Sequence, residues 1–143
     1  MSSTNPSPTA LCTTSWRRLW EDHKANKLDV APVSISLGLP KYWPQARAFP
    51  YLPDLAPDPS MLGMDEAGFM GAYFQKLNRI GVDSIHEQLT AIREASNGRT
   101  SALACFEPFS TDCHRSLLTS WWCRMTGELV EEMPSEQLSL EER

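Results

Sequence analysis

The run "TSALACF" at positions 100 to 106 constrains the fold most, because its apolar residues are consecutive and do not alternate with polar ones. A strand with one face in water alternates, whereas an unbroken apolar run is typical of a strand buried on both faces of a parallel sheet. A second strand is indicated by "VAPVSIS", where apolar residues alternate with two serines. We therefore expect residues 33 to 36 and 101 to 106 to form parallel strands that are neighbours, or near neighbours, in one sheet.

Helical periodicity occupies much of the chain between these strands. Asp65 is expected to open one helix, which Gly81 ends. Ser84 and Glu87 have the spacing of a capping box, so they predict the start of a second helix that closes at residues 97 to 98. The proline-rich segment before these helices, residues 41 to 59, has no sustained period, and a loop of that length is usually functional or a lid.

A last helix follows the apolar run, and "GELVEEM" predicts an edge strand after it. The expected buried face of this helix consists of Leu117, Leu118, Trp121, Trp122 and Met125. The order of elements is then strand, helix, strand, long loop, two helices, strand, helix and strand. This order predicts an α/β fold, a three-layer domain with a small, mostly parallel sheet and flanking helices.

The length and composition of the chain set the domain boundaries. The 143 residues, of which 41% are hydrophobic and 22% charged, suit one soluble domain. We predict a disordered tail at 1–9, a single α/β domain at 10–133 and an acidic tail at 134–143. The formal net charge of -5 disfavours binding of nucleic acid through a broad basic surface.

The sequence also predicts where the protein works and what it lacks. No stretch approaches the roughly 20 consecutive apolar residues of a membrane span, and the amino terminus lacks the features of a signal peptide. We expect a cytoplasmic protein with no membrane partner. Four cysteines at irregular spacing predict reduced thiols and no metal site. The sequence indicates no particular cofactor and no particular oligomeric state.

A candidate site lies where the apolar strand passes into the last helix. Glu107, Cys113, His114 and Arg115 are close together in the sequence there, and ligands of parallel sheets bind outside the carboxyl ends of the strands. Arg115 and the backbone amides of the first helical turn can hold an anionic small molecule. A helix start also favours the thiolate form of Cys113, while Glu107 or His114 can transfer a proton.

Each of these residues also has a structural interpretation. Cys113 can be a packing residue, since adjacent Cys and His side chains point in different directions around a helix. Arg115 can pair with Glu107 as a latch across the loop. Cys105, inside the apolar run, is expected in the core.

Three functions remain open from the residues alone. The first is a small enzyme that acts on a phosphorylated or nucleotide-like ligand at the carboxyl edge of the sheet. The second is a non-catalytic binding or regulatory protein that uses the same pocket. The third is a single-stranded nucleic-acid accessory protein, in which Trp16 and Trp20 stack on bases beside Arg17 and Arg18. We rank this last function third, because the two tryptophans fit the apolar stripe of a helix.

Four segments resemble, in the same order, a prokaryotic family catalogued as domain of unknown function 488. They are "PVSISLGLPKYWP" at 32 to 44, "YLPDLAP" at 51 to 57, "ALACFEP" at 102 to 108 and "CHRSLL" at 113 to 118, and the resemblance covers about residues 11 to 133. It implies a small α/β fold but no established reaction. The positions that match the family's characteristic residues are Ser34, Ser36, Glu107, Cys113, His114 and Arg115, so Ser34 and Ser36 join Arg115 as candidate ligand-binding residues. Leu37 departs from the basic or glycine residue usual in the family, which makes that loop less suited to contact an anion.

The spacing of the cysteines generates a first testable prediction. We expect the purified protein to contain no stoichiometric zinc and to show four free thiols per denatured chain, because a zinc site needs a fourth ligand that the cysteine and histidine spacing does not supply. Elemental analysis and thiol titration measure both quantities. One zinc ion per chain, or two missing thiols, would contradict the prediction.

Overall fold

A computed structural model describes residues 11–106 and 114–133. The predicted tails lie outside these residues. The chain forms strands β1 (Leu11–Ser15), β2 (Ala31–Ser34), β3 (Ser101–Cys105) and β4 (Glu131–Glu132), and helices α1 (Trp16–Lys24), α2 (Glu66–Ile80), α3 (Val82–Ala95) and α4 (His114–Thr126). The strands lie in the order β2-β3-β1-β4, and each neighbouring pair is parallel. The predicted α/β fold, the parallel pairing of β2 with β3 and the edge strand β4 are confirmed.

The central strand β3 explains the unbroken apolar run. All five of its residues are buried. Leu103 and Cys105 pack into the core on one face of the sheet, whereas Ala102 and Ala104 pack into the core on the other. Because both faces of this strand are covered, the side chains that follow Ser101 are all apolar, and the alternation seen in half-exposed strands is absent.

Helices cover the sheet on both sides and make three layers. On one side, α2, α3 and α4 contribute the side chains of a large core, among them Tyr73, Leu89 and Trp121. On the other side, Trp16 of α1 packs against Trp43, which precedes a short 3-10 helix. The ring centroids of these two tryptophans are 6.2 Å apart and the rings meet edge to face, an arrangement that adds to the stabilisation from burial.

The junction between α2 and α3 departs from the prediction. Gly81 has φ 94° and alone separates the two helices, so α3 begins at Val82. The predicted start at Ser84 is wrong, because the left-handed conformation that glycine tolerates turns the chain without a polar cap. Ser84 instead lies inside the helix, where its hydroxyl accepts a hydrogen bond from Gln88 at 3.4 Å.

The buried face of α4 also differs from the prediction at one end. Trp121 and Trp122 are buried as expected, but Met125 is 49% exposed. The buried residues of α4 extend from its first residue to Trp122, and Met125 lies beyond them in the last turn. Counting Met125 as a core residue is therefore wrong.

A buried lysine holds the proline-rich connection against α2. The Lys76 ammonium donates to the carbonyl oxygens of Pro53 at 2.9 Å and Ala56 at 2.7 Å, and to Asp58 Oδ1 at 2.8 Å. An ammonium group has three donors, so these bonds use all of them. Three short 3-10 helices, each with a proline in its first turn, complete this connection. The loop is thus ordered by local turns and by one buried cation.

Leu118 offers a test of the large core. Its side chain is 3% exposed within that core, so Leu118→Ala is expected to lower the free energy of unfolding by about 2–5 kcal/mol. Leu129→Ala is the matched control, because Leu129 is 73% exposed and its truncation should change stability by about 0.5 kcal/mol or less. Urea unfolding measures both. Equal effects of the two substitutions would contradict this packing.

Candidate functional site

A cavity of about 480 Å³ opens at the carboxyl ends of β2 and β3. Three short segments form its sheet-side walls: residues 36 to 38 after β2, Phe106 directly after β3, and the start of α4. Its position is the one at which ligands bind to parallel sheets. Cavities of roughly 300–1,000 Å³ hold small-molecule ligands, so the volume suits such a ligand.

The two predicted serines form a buried network beside this cavity. Ser36, which lines the cavity, donates to the carbonyl oxygen of Gly38 at 2.6 Å and accepts from the indole nitrogen of Trp16 at 3.1 Å. The Ser34 hydroxyl lies 3.4 Å from the Ser36 hydroxyl and is almost completely buried. These contacts fix the turn at residues 36 to 38, so the serines shape the wall of the cavity.

His114 joins the start of α4 to the end of β2. Its Nε2 lies 2.7 Å from the carbonyl oxygen of Ile35, and only 5% of the residue is exposed. A carbonyl oxygen can only accept, so Nε2 carries the hydrogen and Nδ1 is the basic nitrogen of the neutral ring. The ring also contacts Tyr73 edge to face, with centroids 5.6 Å apart. His114 is therefore a rigidly held titratable group in the wall of the cavity.

Arg115 extends away from His114, toward the other side of β3. Its guanidinium forms a bidentate pair with Glu132, with distances of 2.9 Å and 2.8 Å, and donates to Cys105 Sγ at 3.0 Å. Thr13 donates to the same carboxylate at 2.7 Å. With 3% of the residue exposed, Arg115 attaches the edge strand β4 to α4 and β3. His114 lines the cavity, whereas Arg115 is not among the described residues that line it. Contact between Arg115 and a ligand therefore stays a prediction.

Two predicted site residues remain, and two cysteines outside the predicted site also bear on thiol chemistry. Glu107 and Cys113 lie outside the described residues, so their catalytic roles and the latch between Glu107 and Arg115 stay predictions. Cys105 is completely buried, as its place in the apolar run predicts. Burial raises the pKa of the Cys12 thiol from 9.0 to about 11, and the Glu132 carboxylate adds to this rise. Cys12 is thus a protonated thiol at neutral pH, which is a poor nucleophile.

The far wall of the cavity comes from residues that sequence reasoning missed. It is formed by the end of the long connection and the first turns of α2. Its main side chains are Leu62, Met64, Asp65, Glu66, Phe69 and Met70. The spacing of residues 65, 66, 69 and 70 places them on one face of a helix, which is the signal that could have identified them. This wall gives the cavity an apolar lining with two carboxylates.

The fold and the cavity together define a small α/β protein with a ligand-sized site at the carboxyl edge of its sheet. No family model, curated protein or solved structure matches the chain, so the resemblance to domain of unknown function 488 stays an interpretation of the four sequence segments. No helix in the described part of the chain is long and apolar enough to cross a membrane. Across residues 11–106 and 114–133, His, Cys, Asp and Glu form no group of three or more that could hold a metal ion.

The pair formed by Arg115 and Glu132 gives a testable prediction. Glu132→Gln is expected to lower the free energy of unfolding by about 1–2 kcal/mol, since it removes the charge that balances a buried guanidinium while Glu132 itself is partly exposed. Glu131→Gln is the control, because Glu131 is the exposed neighbour on the same strand. Urea unfolding compares the variants. If both changed stability by the same amount, the pair would not be what holds β4.

Proposed function

We propose that the protein is a small enzyme that binds a nucleotide-like or phosphorylated ligand in the cavity at the carboxyl edge of the sheet, in the cytoplasm as the sequence predicts. The position of the cavity carries this proposal. It lies at the ends of two parallel strands and beside the first turn of a 13-residue helix, where backbone amides favour an anion.

The apolar part of the cavity suits a planar ring. Phe106, at 45% exposure, and Phe69 both line it, and the side chains of Met64 and Met70 add polarisable thioethers. Aromatic side chains bind bases by stacking, and thioethers adapt to irregular apolar shapes. A ligand with a heteroaromatic base would bury its faces against these groups.

The polar part of the cavity supports an anionic group and proton transfer. His114 and Leu117 place the first turn of α4 on the sheet side of the cavity, and the positive end of the helix dipole favours a phosphate there. His114 can also exchange a proton through its imidazole. The predicted roles of Glu107 and Cys113 as acid, base or nucleophile belong to the same proposal, because both precede His114 in the sequence. If Glu107 and Cys113 do not have these roles, the same cavity would serve a non-catalytic binding or regulatory protein.

The tryptophans support this function over binding of single-stranded nucleic acid. Trp16 is completely buried and its indole nitrogen donates to Ser36. It has no exposed face for a base. Of the two tryptophans, only Trp20 could then stack on a base beside Arg17 and Arg18. Trp20 already contacts the rings of Tyr42 and Trp43.

A titration with a ligand panel tests the proposal. Isothermal titration calorimetry with inorganic phosphate, ribose 5-phosphate, the nucleosides and their monophosphates is expected to detect binding of at least one nucleoside monophosphate. Phe106→Ala should weaken that binding about tenfold, because it removes a stacking contact. Tyr51→Ala is the matched control, since Tyr51 is an aromatic residue of similar exposure, 47%, that does not line the cavity.

Two results would contradict the proposal. One is that the wild-type protein binds no member of the panel. The other is that Phe106→Ala and Tyr51→Ala weaken binding equally, which would mean that the nucleotide binds elsewhere. Incubation of the bound nucleotide with the protein, followed by chromatography, distinguishes an enzyme from a non-catalytic binding protein, since only an enzyme releases a product.

A further inference from the structure

The first turn of α2 brings two carboxylates to the cavity beside its apolar side chains. Asp65 and Glu66 both line the cavity. Phe69 follows Asp65 by four residues and Met70 follows Glu66 by four, so each carboxylate lies one helical turn from an apolar side chain of the same wall. A ring packed on Phe69 would therefore have an edge near Asp65.

The Asp65 carboxylate is oriented by its role as the N-cap at the start of α2. Its Oδ1 accepts a hydrogen bond from the backbone amide of Gly68 at 2.8 Å. A carboxylate has about four lone-pair positions, so this bond uses one of them and orients the others. Asp65 is thus a preorganised acceptor for N–H groups of a ligand, and preorganisation reduces the entropy lost on binding.

An ionised carboxylate distinguishes rings by the hydrogen-bonding groups on their edges. It only accepts hydrogen bonds, so it favours an edge with donors and repels an edge with a lone pair. Guanine presents N1–H beside an amino group, which is two adjacent donors. Hypoxanthine presents N1–H alone, and adenine presents its amino group next to an unprotonated N1.

We propose that the cavity selects a planar ring with two adjacent N–H donors, as in guanine, and that the Asp65 carboxylate accepts from both. This inference rests on the proposed function, because it concerns the base of the same nucleotide-like ligand. It gives a role to Asp65, one of the two carboxylates that line the cavity. The phosphate lies toward the start of α4, and the donor edge of the base lies toward the start of α2.

Asp65→Asn tests the role of this carboxylate without removing the helix cap, since asparagine caps helices about as well as aspartate. Calorimetry is expected to show that the wild-type protein binds GMP about tenfold more tightly than AMP, with IMP between them, because hydrogen bonds to a charged group are strong. Asp65→Asn should bring GMP and AMP within about twofold of each other by weakening GMP alone. The wild-type protein should also prefer guanosine to adenosine, although neither nucleoside carries a phosphate.

Asp83→Asn is the matched control. Asp83 is an exposed aspartate in the first turn of α3 and does not line the cavity, so its substitution should leave the preference for GMP unchanged. Thermal unfolding of each variant verifies that it is folded.

The outcomes separate this inference from the proposal on which it rests. If GMP and AMP bind the wild-type protein equally, the cavity is a nucleotide site without selectivity for guanine, and only the inference fails. If AMP binds more tightly, or if Asp65→Asn and Asp83→Asn weaken GMP equally, the role of Asp65 is also overturned. If no nucleotide binds, both the inference and the proposed function fail.

Discussion

Burial of β3 on both faces is the constraint on which the rest of the structure depends. Its backbone pairs with β2 on one side and β1 on the other, and its side chains enter both cores. A strand in this position can be covered only if helices lie on each side of the sheet, so the three layers follow from it. Because the neighbouring strands are parallel to β3, their carboxyl ends meet at one edge, and the cavity opens there.

The passage from β3 to α4 shows how two adjacent residues can serve different purposes. His114 contacts the end of β2, while Arg115 reaches the carboxylate on β4. Consecutive side chains diverge by about 100° around a helix, so neighbours in sequence reach opposite sides of the central strand. The histidine faces the ligand-sized cavity and the arginine secures the edge of the sheet. The separation keeps the ion pair of Arg115 with Glu132 apart from the histidine that lines the cavity.

Much of the fold can be predicted from the sequence because its signals are local. The unbroken run of β3 and the limits of α2, from the cap Asp65 to Gly81, follow from single segments. The start of α3 cannot be predicted in the same way. Ser84 and Glu87 have the spacing of a capping box, but the helix begins at Val82, directly after Gly81, whose positive φ turns the chain. The edge of the sheet where the cavity opens was also predictable, because it follows from topology.

The composition of the site was less predictable for a physical reason. The pairing of Arg115 with Glu132 and the contribution of α2 to the cavity are contacts between segments distant in the chain. No local pattern of polarity specifies which of several carboxylates a buried guanidinium will meet. Helical spacing shows that residues 65, 66, 69 and 70 share a face, but only the packed structure shows what that face encloses.

The parallel arrangement of the sheet has a consequence for how the chain folds. β1 stands near the beginning of the described chain, yet both of its partners come near the end, since Leu11 lies opposite Ser101 and Cys12 opposite Glu131. Closing such long loops is entropically costly and makes folding slow, whereas α2 and α3 are joined by one residue and can associate early. During synthesis on the ribosome, β1 therefore stays unpaired until β3 has emerged. The helical pair is the part of the molecule that can form first.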